Sequence, residues 1–309
     1  MTTPPQTYAL LILSALAAGV VNSIAGGGTL LTFPALLSVV DPVMANATST
    51  VALVPGSLAG AWGYRREMSH ARRWAALLFW PSLLGGTTGS LLLTQLDERY
   101  FRALVPWLIL MAAVLFLVQP AMARLVGIGV PHAAPSRGIV IAVVIFQFIV
   151  AVYGGYFGAG IGILMLSALA LMGFGDIHHM NALKTLLAGV INGVSVVVFV
   201  VDQVVEWRYA LSMAIAAIIG GYFGARVARR LNRNFVRWLV IAIGFGLAAY
   251  FFYQQVAHPS QLRQQASLTR AAGSGRPRCL LNSTAHLDSI RHDFVASPPE
   301  HRCSGGCQG

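Results

Sequence analysis

Lysine occurs once in the chain, at position 184, against twenty arginines. It stands in "DIHHMNALKT", residues 176 to 185, at the head of an apolar run. At an offset of 135 residues the chain carries "DPVMANATST", residues 41 to 50, which shares Asp, Asn, Ala and Thr in register and has Ser49 where the later stretch has Lys184. The chemistry on offer is anion recognition. Asn46, Ser49, Thr50, Asn181 and Thr185 put amides and hydroxyls in the first turns of two helices, whose unpaired N–H groups and positive dipole ends favour anions. Lys184 would add the counter-charge, because an ammonium within a membrane helix costs about 2.5–3.5 kcal/mol and faces a cavity or a partner. A snorkelling lysine, or one paired with Asp176 across a bend, is the alternative. For the amides and hydroxyls the alternative is hydrogen bonding between helices.

Other candidates flank these. Asp41 and Asp176 each open a polar stretch, either as proton carriers for coupled transport or as N-caps of the helices that follow. His178 and His179 beside Asp176 could join a proton relay, but they are too few ligands for a metal. Upstream of each polar stretch lies a glycine-rich break, "AGGGT" with Gly26, Gly27 and Gly28, and "GAGIGI" with Gly160 and Gly162. Glycines there permit positive φ and close approach of backbone to a ligand. All three cysteines, Cys279, Cys303 and Cys307, fall in the last stretch without C-x-x-C spacing, so no metal, redox or disulfide chemistry is expected. No P-loop is present, "GAGIG" lacks the strand context of a dinucleotide fingerprint, and no cofactor is expected.

The elements that must position these residues are long apolar helices. Only 10% of residues are charged and the mean hydropathy is +0.69, whereas soluble domains carry about a quarter charged residues. Runs at 8–24, 44–64, 74–95, 103–119, 138–157, 183–201, 209–228 and 235–254 hold few or no charges, and about 20 helical residues span a bilayer core. The expectation is an all-α polytopic membrane protein with roughly eight crossings. The pieces 29–40 and 163–174 are too short to cross comfortably and suit broken or re-entrant segments. The first run lacks a basic flank and a cleavage site, so it is expected to be a retained helix. The net charge of +11 sits in short loops and the tail, as in membrane proteins, so no nucleic-acid partner is expected.

Residues 41–105 align with 176–240 without a gap, and 13 of those 65 positions are identical, among them Arg73/Arg208, Gly85/Gly220, Gly86/Gly221, Gly89/Gly224 and Arg102/Arg237. This predicts two tandem repeats of about four transmembrane helices each, at 1–119 and 137–256, joined by 120–136, with a disordered polar tail at 257–309. Paired glycine-interrupted segments in two halves are the sequence mark of a transporter's binding site. Gly85, Gly86, Gly89 and their counterparts Gly220, Gly221, Gly224 are expected to pack helices closely.

The stretches "VNSIAGGGTLLTFPALL", "ANATSTVALVPGSLAGAWGYRRE", "GAGIGILMLSALALMGFGDIHHMNALKTLLAGVING" and "GGYFGARVARRL" resemble the TauE/SafE sulfite-exporter family of bacterial membrane transporters, over about residues 8–254. The resemblance implies two related four-helix halves and cargo among sulfite, sulfonates and other small sulfur-containing or organic anions. The expected function is therefore secondary transport, as export, across the bacterial plasma membrane by a multi-pass protein whose partners are a small anion and the lipid bilayer, with a homo-oligomer left open. It is expected not to be an enzyme. The competing readings are a non-transporting membrane subunit and an intramembrane enzyme built on Asp176, His178 and His179. One conflict stands in the sequence. The arginine clusters "YRREMSHARR" and "ARVARRLNRNFVR" both belong on the cytoplasmic side, yet five apolar runs lie between them, so eight simple crossings cannot satisfy both.

Overall fold

The computed structural model describes residues 4–24, 27–63, 72–125, 136–171, 177–227 and 233–257. Among them are ten helices: α1 Pro5–Ile24, α2 Thr29–Leu36, α3 Pro42–Gly63, α4 Arg72–Gln95, α5 Glu98–Leu125, α6 Arg137–Tyr156, α7 Ile161–Leu171, α8 Ile177–Val201, α9 Trp207–Val227 and α10 Arg233–Ala257. Six are long and apolar enough to cross a membrane over their described residues, namely α1, α4, α5, α6, α8 and α10. At 22 and 21 residues, α3 and α9 also have the length that a bilayer core of about 30 Å requires. The two short helices, α2 and α7, have 8 and 11 residues, roughly 12 and 16 Å of rise.

The outside of the bundle is apolar and the inside holds polar groups. Leu13, Trp80, Ile141, Leu211 and Ile215 are all exposed, while Thr32, Asn46, Thr48, Ser49, Ser82, Ser90, Gln147 and Ser195 are buried. Water would not tolerate so much contiguous exposed apolar surface; a bilayer demands it.

Glycines set the tightest packing. On α4, a Cβ at Gly85 or Gly89 would overlap the α6 backbone at Phe148 or Val152, and one at Gly155 of α6 would overlap Gly86 of α4. On α9, a Cβ at Gly220 would overlap Leu16 of α1, and one at Gly19 of α1 would overlap Ala217 of α9. Of the glycines expected to pack closely, Gly85 and Gly89 thus serve the contact of α4 with α6, Gly86 faces Ile191 and Val194 of α8, and Gly220 serves the contact of α9 with α1. The main pairings are α4 with α6 and α8, α9 with α1 and α3, α3 with α8, and α5 with α10. Each pairing is matched by another, or by itself, when element numbers are exchanged by five.

The direction of each helix follows from point contacts. Tyr8 bonds the Arg208 carbonyl and Gly19 meets Ala217, so α1 and α9 run parallel. The Gln147 side chain donates to Ser82 and Gly89 meets Val152, so α4 and α6 run parallel. In α5 and α10, Gln255 reaches the Arg102 carbonyl, Trp107 stacks on Phe252 and Gly244 meets Ala113, an antiparallel pair. One end of the bundle therefore gathers the starts of α1, α3, α5 and α9 with the ends of α4 and α10, tied by Asp41–Arg102 and by Thr48 accepting from the Glu206 N–H. Since α1 starts there and α3 also starts there, the stretch with α2, residues 27–41, brings the chain back across. By the same reasoning the stretch with α7, residues 157–171, returns it between α6, which ends there, and α8, whose own end leads through a short link to α9. The conflict over the arginine clusters is thereby removed: the glycine-broken segments make up the missing crossings, and the α3–α4 and α9–α10 connections leave from the same end.

Candidate functional site

Three glycines with positive φ mark the two breaks: Gly27 at 117°, Gly158 at 81° and Gly160 at 79°. In the first break the Gly27 N–H donates to the Asn22 side chain at 3.3 Å, and a Cβ at Gly27 would strike the Phe116 ring. Gly28 is helical in φ, and a Cβ there would come within 2.8 Å of the Ala18 carbonyl oxygen. In the second break Tyr153 donates its hydroxyl to the Ala159 carbonyl at 2.7 Å, and the space beside Gly160 is bounded by Leu115 and Ala112. Both breaks therefore lie against the same part of α5, within about one helical turn of each other. α5 runs from residue 98 to 125, so that level is near its middle. Unwound backbone from two elements converges where a membrane-embedded site would need it.

Lys184 lies seven residues into α8, about 10 Å from its start. Its stem crosses α7 at Gly162: the place a Cβ would occupy there is 3.3 Å from Cδ and 3.7 Å from Cε. The lysine is half-buried and, among the described residues, has neither a hydrogen bond nor an ion pair. The first two residues of α7 are Ile161 and Gly162, so an ammonium on this stem adjoins the positive end of a helix. Two like-signed poles are unfavourable alone and complementary to an anion between them.

The corresponding position on α3 is neutral. Ser49 is buried and shares a 2.5 Å hydrogen bond with Thr32 of α2, whose hydroxyl also reaches the Gly28 carbonyl. Serine and lysine thus occupy equivalent places, each over the start of a short helix. Asn46, one turn earlier, is buried; its amide NH2 donates to the Tyr156 carbonyl at 3.1 Å, and its Oδ1 has no partner. Thr50 and Thr185 both turn back onto their own helices, to the carbonyls of Asn46 and Asn181. Asn181 is half-buried.

The remaining predicted residues stand apart. Asp41 precedes α3 and its carbonyl receives the Ala45 N–H, while its exposed carboxylate lies 3.9 Å from Arg102. His179 is half-buried in the first turn of α8. Gly26, Asp176 and the His178 side chain lie outside the described residues. Sequence reasoning did not single out Thr32, although a hydroxyl inside a short apolar piece was a usable signal. It also missed Tyr156, which acts through its backbone carbonyl and leaves no side-chain signature. Phe33, Phe101 and Phe157, which pack edge-on beside Tyr156, read in sequence as ordinary apolar residues.

The family model described as sulfite exporter TauE/SafE matches residues 11–251. A probable membrane transporter protein of Haemophilus influenzae is 27% identical over 254 residues, covering 80% of this chain and 95% of the relative. The protein YfcA of Escherichia coli, also named a probable membrane transporter protein, is 25% identical over 266 residues, covering 82% and 94%. One from a Sinorhizobium species is 27% identical over 242 residues, covering 78% and 90%. No solved structure matches. The match spans both breaks, Lys184 and eight long helices, and on that ground the chain belongs to the TauE/SafE family and is a multi-pass bacterial membrane transporter.

Proposed function

We propose that this transporter exports a small anion, of the sulfite, organosulfonate or related sulfur-containing or organic class, through a site between Lys184 and the start of α7. The observation that carries this reading is the half-buried Lys184 ammonium, which lacks a counter-ion among the described residues while its stem lies over Gly162. A charge held in a membrane helix without a partner is costly, and an anionic cargo would supply that partner. Gly160 and Gly162 keep side chains out of the approach, and Asn181 and Thr185 lie on the same helix as the lysine. The first half, with Gly27, Gly28, Asn46, Ser49 and Thr50, contributes the neutral wall. The repeat of two related halves is supported by the way the helix pairings survive an exchange of element numbers by five.

The arginine-rich end is the cytoplasmic one in this reading. Arg72, Arg73, Arg137 and Arg233 stand in the first turns of helices there and the sequence clusters 64–73 and 225–237 link helices that end and begin there, against Arg99, Arg102 and Arg208 at the opposite end, an asymmetry in line with the positive-inside rule. Asp41, Asp176, His178 and His179 are the candidates for proton coupling. Of these, Asp41 is exposed beside Arg102, a setting that suits a helix-end ion pair as well.

The test is uptake of labelled sulfite into proteoliposomes holding the purified full chain. Wild type is expected to accumulate the label, and Lys184→Ala to lose at least about nine-tenths of the rate, the order of one lost ionic hydrogen bond. A Lys184→Ala protein that elutes as a single folded species and transports at the wild-type rate would remove the counter-charge role.

A further inference from the structure

The break between α6 and α7 has two electrostatic ends. The start of α7 is positive and serves the anion reading above; the end of α6 is a set of carbonyls equivalent to about half a negative charge. Asn46 meets that second end. Its NH2 donates to the carbonyl of Tyr156, the last residue of α6. This bond fixes the amide's orientation, because a carbonyl can only accept and the edge facing it must be the NH2. The oxygen edge is left over, and Oδ1 is buried without a partner on a residue only 1% exposed. Native structures rarely leave a buried acceptor empty, and an ion or water is the usual occupant.

The surroundings choose between occupants. One turn on, α3 offers Ser49, bonded to Thr32 and through it to the Gly28 carbonyl. These are neutral oxygens on α3, on α2 and at the start of α2, and no carboxylate bonds to them among the described residues. The Phe101 ring packs edge-on against Tyr156, and Phe33 and Phe157, both buried, pack against Phe101 and each other, so the neighbourhood is apolar. A divalent ion would call for carboxylates, whereas neutral oxygens at a helix's carbonyl end in an apolar setting suit a small monovalent cation. We infer that Asn46 Oδ1 and the carbonyl end of α6 bind a sodium-sized alkali cation. Its role as the coupling ion rests on the anion-transport reading; its binding does not.

The experiment is thermal unfolding of the purified full chain at fixed ionic strength in NaCl, LiCl, KCl or choline chloride. Sodium is expected to raise the midpoint saturably above choline, and Lys184→Ala to retain that rise. Asn46→Leu should abolish it. Asn46→Ala, which removes both edges of the amide without adding bulk, should abolish it too, and it decides the matter if the leucine variant does not fold. Equal midpoints in sodium and choline would mean that a water occupies the site and would overturn the inference. An unchanged sodium response in Asn46→Leu or Asn46→Ala, or loss of the response in Lys184→Ala, would do so as well. Intact sodium binding in a protein that moves no anion would instead overturn the transport reading and leave this site standing.

Discussion

Ser49 on α3 and Lys184 on α8, in register when the sequence is aligned on itself, differ by a charge, and that difference organises the proposed site. Ser49 shares its hydrogen bond with Thr32, so it offers no counter-charge to an anion. Lys184 lies over Gly162 with no partner among the described residues. Gly162→Ala should therefore act through the lysine. A Cβ 3.3 Å from Cδ is tighter than ordinary contact and displaces the stem, so sulfite uptake should fall several-fold while the thermal midpoint moves little, because the far end of a lysine yields cheaply. Gly27→Ala is different in kind. It combines a φ of 117° with an overlap on the Phe116 ring, and it should lose at least about 1–3 kcal/mol of stability, read as a lowered unfolding midpoint or failure to express. If the two substitutions had the same effect, the division between a ligand-facing and a structural glycine would be wrong. The lysine, the polar stretches and the breaks could be read from sequence because they violate the apolar pattern around them. Tyr156 could not, since its carbonyl is shared by every residue type.

At the scale of elements, helices are exchanged between the sequence halves. α4 packs on α6 and α8, and α9 on α1 and α3, so neither half of the sequence encloses its own third long helix. Contact at backbone distance through Gly85, Gly89, Gly155, Gly19 and Gly220 makes these joints stiff, since dense packing leaves no room to slide. Gly89→Leu should disrupt the α4–α6 joint, with overpacking costing about 1–3 kcal/mol or more. Gly246→Leu on α10, where nothing lies within 4 Å, should leave the midpoint unchanged within about 0.5 kcal/mol. A matched pair of expression and thermal-unfolding measurements separates them. The lengths and number of the long helices were legible, because twenty-residue apolar runs have few other uses. The exchange was not. Glycine spacing tells that a helix packs closely, but the identity of the partner is settled by three-dimensional complementarity that no local pattern carries.

For the molecule as a whole, the sequence read as eight crossings placed two arginine clusters on opposite sides, and the fold removes that contradiction through its shortest elements. α2 runs back along α5, from Gly27 beside Phe116 to Phe33 beside Phe101, and so delivers the chain to the start of α3. Residues 157–171, with α7, do the same between α6 and α8. With both returns made, the α3–α4 and α9–α10 connections share one end, and the turns at Asp97 and at Asp202 share the other. The sets α1–α5 and α6–α10 run in opposite directions, and the proposed transport would expose one site alternately to each side by moving one set against the other. This arrangement has a direct test in cysteine accessibility. Replacing Cys279, Cys303 and Cys307 by serine gives a background without thiols, into which Ser69→Cys, Asn234→Cys, Asp97→Cys or Asp202→Cys is introduced singly. A membrane-impermeant maleimide applied to intact spheroplasts should label positions 97 and 202. Positions 69 and 234 should react only after permeabilisation, in step with each other. Labelling of 69 and 234 from opposite sides would mean that one short segment turns back without crossing, and the opposed orientation of the two units would have to be abandoned. Labelling of 69 and 234 together from outside would keep the fold and reverse its placement in the membrane.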